Sequence, residues 1–537
     1  MAKVHPGRVV IVGAGPTGLL LAAELALAGI EVLVLERRAA QREDSRAICL
    51  HARTVEALDL RGQGQLFART GLPVPAFPLG PRGAVIKFGM LDSDFPVLLD
   101  MPQGHVERLL LDWGARLGVQ VRWSSAVTGL GADDEGVTVS LAGGGSERAS
   151  YVVGCDGVRS FVRDAAAIPF PGVHNPGSVI LADLRLDGLP MDHAYGDLSP
   201  AGMLLVFPFR DGTCRVVLYD YSLADVPVTE PVTLEETAAS LRRVAGRDFG
   251  PHGLYWSGRY RSESRQAPAY RAGRILLAGD AAHAHSPAGA QGMNTGLQDS
   301  ANLGWKLAAE LNGWAPSWLL DSYHSERHPV GAAVLALSGR QFALNVAKTP
   351  ARRLLRWAVH RLVVPLPPVQ ARLARDYSGL SISYPPAPWV PAPVPGSGAA
   401  AAARADPLAG TRLPPGPLTL AGGTGGTGGT RGGVTAAGPG AGQDGGTSGS
   451  PDGGTVRLYE LFAAGQFVLL DRESGERPGD LPSHVRLVRY TGRLPGRLPA
   501  AVLARPDGYI AWASDEPDPA ARARAAADAV RRWCAPG

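Results

Sequence analysis

Residues 8–18 read Arg-Val-Val-Ile-Val-Gly-Ala-Gly-Pro-Thr-Gly, and no other stretch of the 537-residue chain constrains the fold as tightly. The β-branched run Val9 to Val12 predicts a buried strand, and the apolar segment Leu19 to Ala28 predicts a helix. Between them Gly13, Gly15 and Gly18 stand in G-x-G-x-x-G spacing, with Pro16 and Thr17 inside the loop. In such a turn the first glycine permits a tight bend and the second lets backbone approach a pyrophosphate. The third lets helix and strand pack closely, so that the helix N-terminus faces the phosphates. A second predicted strand, Ile30 to Leu35, ends in Glu36, 18 residues beyond Gly18 and placed to accept a hydrogen bond from a ribose hydroxyl. Strand, glycine loop, helix, strand and acid together predict a dinucleotide site. A glycine-rich turn without a ligand is the plainer alternative.

Bulk properties narrow the class. The length allows two or three domains with large cores. A formal charge of +4 is small for this length and does not point to nucleic acid. Cys49, Cys155, Cys214 and Cys534 are far apart and show neither CxxC nor zinc spacing, so free thiols in a reducing cytosol and no metal site are expected. No signal peptide is visible. The apolar segment after Gly18 is too short for a membrane span and carries Glu24. A cytoplasmic enzyme without a membrane span is the expectation.

Further along the chain, Asp44-Ser45-Arg46-Ala47 precedes a predicted helix, His51 to Leu60. Arg46 reads equally as a surface charge or as a guanidinium for pyrophosphate or flavin. Residues 74–100 have the texture of short antiparallel strands and turns. Pro102-Gln103-Gly104 precedes a helix, Val106 to Leu117, and Gln103 reads as a polar contact or a helix cap. The strand Tyr151 to Gly154 runs into Asp156-Gly157-Val158-Arg159-Ser160, which by itself could be only a salt-bridged corner. Phe207, Phe209 and Tyr219, on predicted middle strands, are candidate pocket walls, although most strand aromatics are core. Arg274 to Ala278 then leads into Gly279-Asp280, and Pro287-Ala288-Gly289-Ala290-Gln291-Gly292-Met293-Asn294 opens an amphipathic helix from about Thr295 to Leu311. There Asp280 can accept from a ribityl hydroxyl while a helix N-terminus aims at the same ligand. His283 and His285 read as packing groups rather than as a catalytic base or metal pair.

Arg352 to Arg375 places apolar and basic residues at helical spacing around a proline break at Pro365, Pro367 and Pro368. A helix covering the domain is expected there, with a membrane-surface helix as the alternative. Pro385 to Pro395 reads as a stiff link, and Gly422 to Gly454 as a low-complexity disordered insert. The string Arg505-Pro506-Asp507-Gly508-Tyr509-Ile510-Ala511-Trp512 reads as strand, turn and strand in a small terminal α/β domain.

Three motifs in order, Gly13-x-Gly15-x-x-Gly18, Asp156-Gly157-x-Arg159-Ser160, and Gly279-Asp280 with Ala288 to Asn294, give the chain its resemblance to the class A FAD-dependent aromatic hydroxylases. These have the para-hydroxybenzoate hydroxylase fold. The terminal string resembles the thioredoxin-like domain of the longer members, the phenol hydroxylase and aromatic polyketide oxygenase branch. The resemblance implies an α/β fold: a Rossmann-like FAD-binding domain, an interleaved antiparallel-sheet substrate domain and a thioredoxin-like C-terminal domain. The implied division gives residues 1–75, 106–175 and 271–395 to the FAD-binding domain with its covering helices. Residues 76–105 and 176–270 go to the substrate domain, and 396–537 to the C-terminal domain with its 422–454 insert.

By the same resemblance Gly13, Gly15, Pro16, Thr17 and Gly18 hold the FAD pyrophosphate, Glu36 and Arg37 the adenosine ribose end, and Val127 the adenine through its backbone. Arg46, Gln103, Asp280, Pro287 and Gly289 match flavin-contacting positions, and Gly292, Met293 and Asn294 would face the isoalloxazine. Asp156 and Arg159 belong to the motif linked to both FAD and NAD(P)H, with NADPH the expected reductant. The implied reaction is hydroxylation of a polycyclic, polyketide-type aromatic in antibiotic biosynthesis through a C4a-hydroperoxyflavin, with no protein nucleophile. A Baeyer–Villiger oxygenase of the same fold is the alternative. A monomer or homodimer is expected.

Overall fold

The structure is a computed structural model that describes residues 7–41, 47–189, 191–285, 289–345, 349–385, 387, 407–421, 454–472 and 478–535. Its helices in chain order are α1 (Pro16–Leu27), α2 (Ala52–Asp59), α3 (Gly64–Thr70), α4 (Gln103–Arg116), α5 (Phe161–Ala165) and α6 (Leu234–Ala245). Then come α7 (Gly292–Leu311), α8 (Ser322–Asn345), α9 (Pro350–Ala358), α10 (Pro367–Ser378) and α11 (Pro519–Cys534).

The first sheet is six-stranded and mostly parallel. The strand Val9–Val12 lies inside it, parallel to Val32–Leu35 on one side and to Tyr151–Gly154 on the other. Tyr151–Gly154 is in turn parallel to Ile275–Leu277. All four strands are buried along their length, as expected where helices cover both faces of a parallel sheet. Parallel pairing has a direct consequence. The glycine loop, Asp156-Gly157 and Gly279-Asp280 all leave the same edge of the sheet, from three adjacent strands.

The second sheet is antiparallel, in the order Tyr195–Ser199, Gly202–Pro208, Cys214–Asp220, Gly172–Leu186, Pro251–Gln266, His283–Ala284. Alternation sorts its side chains onto two faces. Leu204, Val206, Val216, Leu218, Ile180 and Ala182 pack with Leu241 and Val244 of α6. That helix is set by Thr233, which accepts the Glu236 amide, and it is stopped by Gly246 at φ +77. Leu205, Phe207, Val217, Tyr219, Val179 and Leu181 face the other way, into a cluster with Phe77, Ile86 and Tyr377. The short strand His283–Ala284 joins the two sheets, four residues past Gly279.

The third unit is a mixed sheet, Thr455–Arg457, Pro417–Leu420, Val485–Thr491, Phe467–Arg472, Ala501–Ala504, Ile510–Ser514, packed against α11. All of the expected 422–454 glycine-rich insert except Gly454 lies outside the described residues, as does most of the proline-rich link. Of the expected covering helices, α10 buries Gln370, Ala374, Tyr377 and Ser378, whereas α9 buries nothing. The covering role therefore belongs to α10 alone, because α9 turns its leucines outward (Leu354 is 67% exposed).

Candidate functional site

At the shared sheet edge the glycine loop is shaped by close backbone contacts. A side chain on Gly13, which sits at φ +108, would press into the Cys155 carbonyl, with 2.8 Å to its carbon. A side chain on Gly18 would overlap the Gly13 carbonyl oxygen. Gly15 differs: nothing lies within 4 Å of where its Cβ would be. It precedes α1, whose first turn has no side-chain cap.

The N-terminus of α7 arrives at the same place. It too lacks a side-chain cap, and Ser300 Oγ donates to the Thr17 carbonyl at 2.7 Å. Thr17 fits this junction because Gly279 and Gly296 are bare there: a Cβ on Gly279 would come within 2.6 Å of the Thr17 hydroxyl. Two uncapped helix N-termini and an open glycine cradle form a site for a polar or anionic group. The exposed carboxylate of Asp280 stands at its rim on the 3-10 turn Gly279–Ala281. A Cβ on Gly292 would lie 3.8 Å from that carboxylate. These residues fit a dinucleotide such as FAD: the cradle is open at Gly15, where a pyrophosphate needs backbone, and tightly packed at Gly13 and Gly18.

Other expected site residues behave in different ways. Glu36 is buried, and its four acceptor positions are filled within the chain. One oxygen accepts the Ala14 amide at 2.8 Å and Arg38 Nη2 at 3.2 Å; the other accepts the Arg38 amide at 3.0 Å and Nε at 2.9 Å. Burial acts to raise its pKa, but the bonds from Arg38 and Ala14 overcome this and hold it ionised below the usual range. A ribose hydroxyl would have to displace one of these donors.

Gln103 opens α4; its Oε1 accepts the Ala47 amide at 3.3 Å and its Nε2 donates to Glu107 at 2.8 Å. Asn294 turns its side chain away from the open cradle. It accepts the His51 amide at 2.8 Å and donates to the Cys49 and Ala290 carbonyls, both at 3.0 Å. That ties α7 to the strand Cys49–Leu50. Met293 is half-buried against the apolar core around the parallel sheet, and Gly289 supplies a carbonyl to His51 Nε2 at 3.0 Å. Burial holds the His51 imidazole neutral, with its pKa down to about 4, against the opposing pull of the Gly289 and Ala290 carbonyls.

Asp156 does not pair with Arg159. It accepts from Ser160 Oγ and from the Val162 amide, building the start of α5, and Arg159 stands exposed with no ion pair among the described residues. Arg37 is exposed and Val127 half-buried. Arg46 and Pro287 lie outside the described residues. Phe207, Phe209 and Tyr219 are all buried on the inner face of the middle sheet. Phe207 packs on Phe77 at 5.7 Å and Tyr219 on Phe342 at 5.7 Å, so these rings act as core in this structure.

A buried polar network lies behind α7. Asp299 accepts from His283 Nε2, Arg327 Nε (both 2.7 Å) and the Gly279 amide (3.0 Å), so His283 anchors the Gly279 turn rather than facing an open site. Asn302 Nδ2 and Lys306 Nζ donate to Glu326, at 2.7 and 2.8 Å. Arg505 bonds both Glu326 oxygens and Asp507, and Arg53 donates to the Asp507 carbonyl at 2.6 Å. The Arg505-Pro506-Asp507 turn of the C-terminal unit is thereby bolted to the helix that opens at the cradle. The sequence signal was present only as Asp299, Asn302 and Lys306 at helical spacing; their partners are far along the chain.

Residues 7–338 match the FAD binding domain family, and residues 447–537 the aromatic-ring hydroxylase C-terminal family. The 12-dehydrotetracycline 5-monooxygenase/anhydrotetracycline 6-monooxygenase of Streptomyces rimosus is 37% identical over 98% of this chain and 99% of its own. The dialkyldecalin synthase of Streptomyces rugosporus is 34% identical over 94% and 95%. Among solved structures, the OxyS anhydrotetracycline hydroxylase from Streptomyces rimosus superposes with a TM-score of 0.77 at 36% identity, covering 98% of this chain and 99% of that one. The chain belongs to the class A FAD-dependent aromatic hydroxylases. It is a flavin-dependent monooxygenase, and the Baeyer–Villiger alternative is not favoured.

Proposed function

We propose that the enzyme uses NADPH and O2 to hydroxylate a polycyclic phenolic substrate of polyketide type, in an antibiotic-forming pathway. The observation that carries the reading is the convergence of the three motifs from adjacent parallel strands onto one edge, beside the apolar inner face of the antiparallel sheet. Bound FAD supplies the oxygen-transfer chemistry; the chain supplies position and dryness. The Gly13–Gly18 loop and α1 hold the pyrophosphate, with Gly15 giving closest approach. Asp280 accepts from the ribityl chain, and the first-turn amides of α7 at Gly292 and Met293 face the isoalloxazine edge. Glu36 accepts from the ribose once Arg38 withdraws one of the hydrogen bonds it donates to the Glu36 carboxylate. Arg159, exposed beside the cradle, meets the reductant. The names of the relatives support the substrate class.

The name of the dialkyldecalin synthase gives a second reading to test, formation of a decalin ring system. One experiment separates them. The purified protein is expected to be yellow and to consume NADPH and O2 faster when given anhydrotetracycline or another polycyclic phenol, yielding a ring hydroxyl. A colourless protein refutes FAD binding; flavin without substrate-stimulated NADPH consumption refutes the oxygenase reading; a lactone product restores the Baeyer–Villiger one.

A further inference from the structure

The stretch from α9 to Leu366 is set apart by its surface. Leu354, Leu355, Trp357, Leu362, Val363 and Leu366 are all exposed, the leucines of α9 and Trp357 by more than half (67%, 57% and 58%). Ala351, Leu354, Leu355 and Ala358 recur at i, i+3, i+4 and i+7, which is one stripe of a helix. Arg352, Arg353 and Arg356 lie off that stripe. Of these only Arg356 turns to the protein: it is half-buried and its Nη1 donates to the Asn345 carbonyl at 2.8 Å, while Arg352 and Arg353 are exposed beside the stripe. The leucines of the stripe face solvent.

Charge is segregated as sharply. Residues 328–375 contain eight Lys and Arg and no Asp or Glu, in a chain that carries 49 acids. From these observations we propose that α9 and the turn after it dock on an anionic lipid surface, with the leucine stripe and Trp357 entering the interface and the arginines meeting headgroups. An amphipathic helix with an aliphatic face, a Trp and flanking arginines suits that boundary. A second copy of the chain fits less well, since a two-fold contact would set the same arginines against each other. At the far end of this surface Val359 and Val364 enter the apolar cluster on the inner face of the middle sheet. The docked face thus adjoins the unit assigned to substrate, where an apolar compound dissolved in a bilayer would arrive. The docking itself does not depend on the substrate reading.

The test uses the full-length flavoprotein and co-sedimentation with vesicles. Binding is expected to vesicles of equal parts phosphatidylglycerol and phosphatidylcholine, not to phosphatidylcholine alone, and to be released by salt. Leu354→Ser with Leu355→Ser should weaken binding by about tenfold or more, because the buried apolar stripe is lost. Arg352→Glu with Arg353→Glu should do the same. Neither pair removes a buried side chain, so melting temperature and flavin content should match the parent and show that the fold is intact. No binding to either vesicle, equal binding to both, or variants that bind like the parent would overturn the proposal. So would a dimer in sedimentation velocity that the leucine variant dissolves, since the occupant would then be a second copy.

Discussion

Gly15→Ala separates the two tasks of the glycine loop. Gly15 has φ −81 and ψ 178, an extended conformation that alanine adopts without strain. Its Cβ would meet nothing within 4 Å, so the protein's own packing is untouched. Restricting the unfolded chain could even stabilise the apoprotein by up to about 1 kcal/mol. The methyl instead fills the space through which a pyrophosphate reaches the amides of α1. Losing one charge-assisted hydrogen bond there costs about 1.5–3 kcal/mol, which is roughly a 10- to 150-fold loss of FAD affinity. The assay is flavin fluorescence quenching on apoprotein, with melting temperature recorded alongside. Gly18→Ala is the contrast: its Cβ would overlap the Gly13 carbonyl oxygen and lie 3.2 Å from Ile11 Cγ2, both in the core. That variant should lose about 1–3 kcal/mol or more of stability whether or not flavin is present. A Gly15→Ala protein with parental FAD affinity, or one whose apo form is unstable, would refute the division of labour.

Other consequences are open to measurement. Asp280→Ala should reduce flavin content at purification with little change in apoprotein stability, because the carboxylate is exposed and supports no packing; unchanged occupancy would remove Asp280 from the site. Arg505→Ala leaves Glu326 and Asp507 buried with too few donors and should cost about 3–5 kcal/mol, read as earlier unfolding and faster proteolysis of the C-terminal unit. In Glu326, burial works to raise the pKa, but Arg505 and Lys306 outweigh it and bring it down to about 2. Its contribution, of order 3 kcal/mol, is therefore complete above about pH 4.5 and is lost as the pH falls toward 2; urea unfolding across that window should show a shallower loss in Glu326→Gln. Asp100 is buried, neither oxygen is hydrogen-bonded among the described residues, and burial raises its pKa well above the usual range, which favours the neutral acid. Asp100→Leu should then stabilise the fold by about 1–3 kcal/mol in thermal unfolding, and a destabilised variant would mean that the carboxyl has a partner.

Much of the fold was legible because its signals are local. The Val9–Val12 run and the glycine spacing each act within a few residues. Backbone sterics and helix geometry then leave few choices, and the expected helices after His51 and Gln103 appear as α2 and α4. Less was legible in the site. Glu36 ends its strand as expected, yet its lone pairs are taken by Arg38, two residues on, whose guanidinium reaches it only once the Ala14 turn is folded beside both. Asn294 belongs to a flavin-facing motif, yet its side chain spans to Cys49, 245 positions away. Phe207 and Tyr219 lie on the inner face that alternation assigns them, but whether a ring lines a pocket or fills a core depends on what packs opposite, here Phe77 and Phe342.

The opening glycine turn shows where the boundary falls. By itself the sequence determined the nucleotide cradle, because Gly13 and Gly18 must lack a side chain to fit neighbours a few residues away or on an adjacent strand, and Gly15 leaves the loop open to a ligand. Only the tertiary structure brought the three motifs to one sheet edge, since that depends on the parallel order of strands drawn from residues 9, 151 and 275 onward. Only it clamped α7 through Glu326 to Arg505, and only it turned the leucines of α9 to solvent. Those outcomes are set by pairings between distant segments, whose free energy appears only when both surfaces have been built.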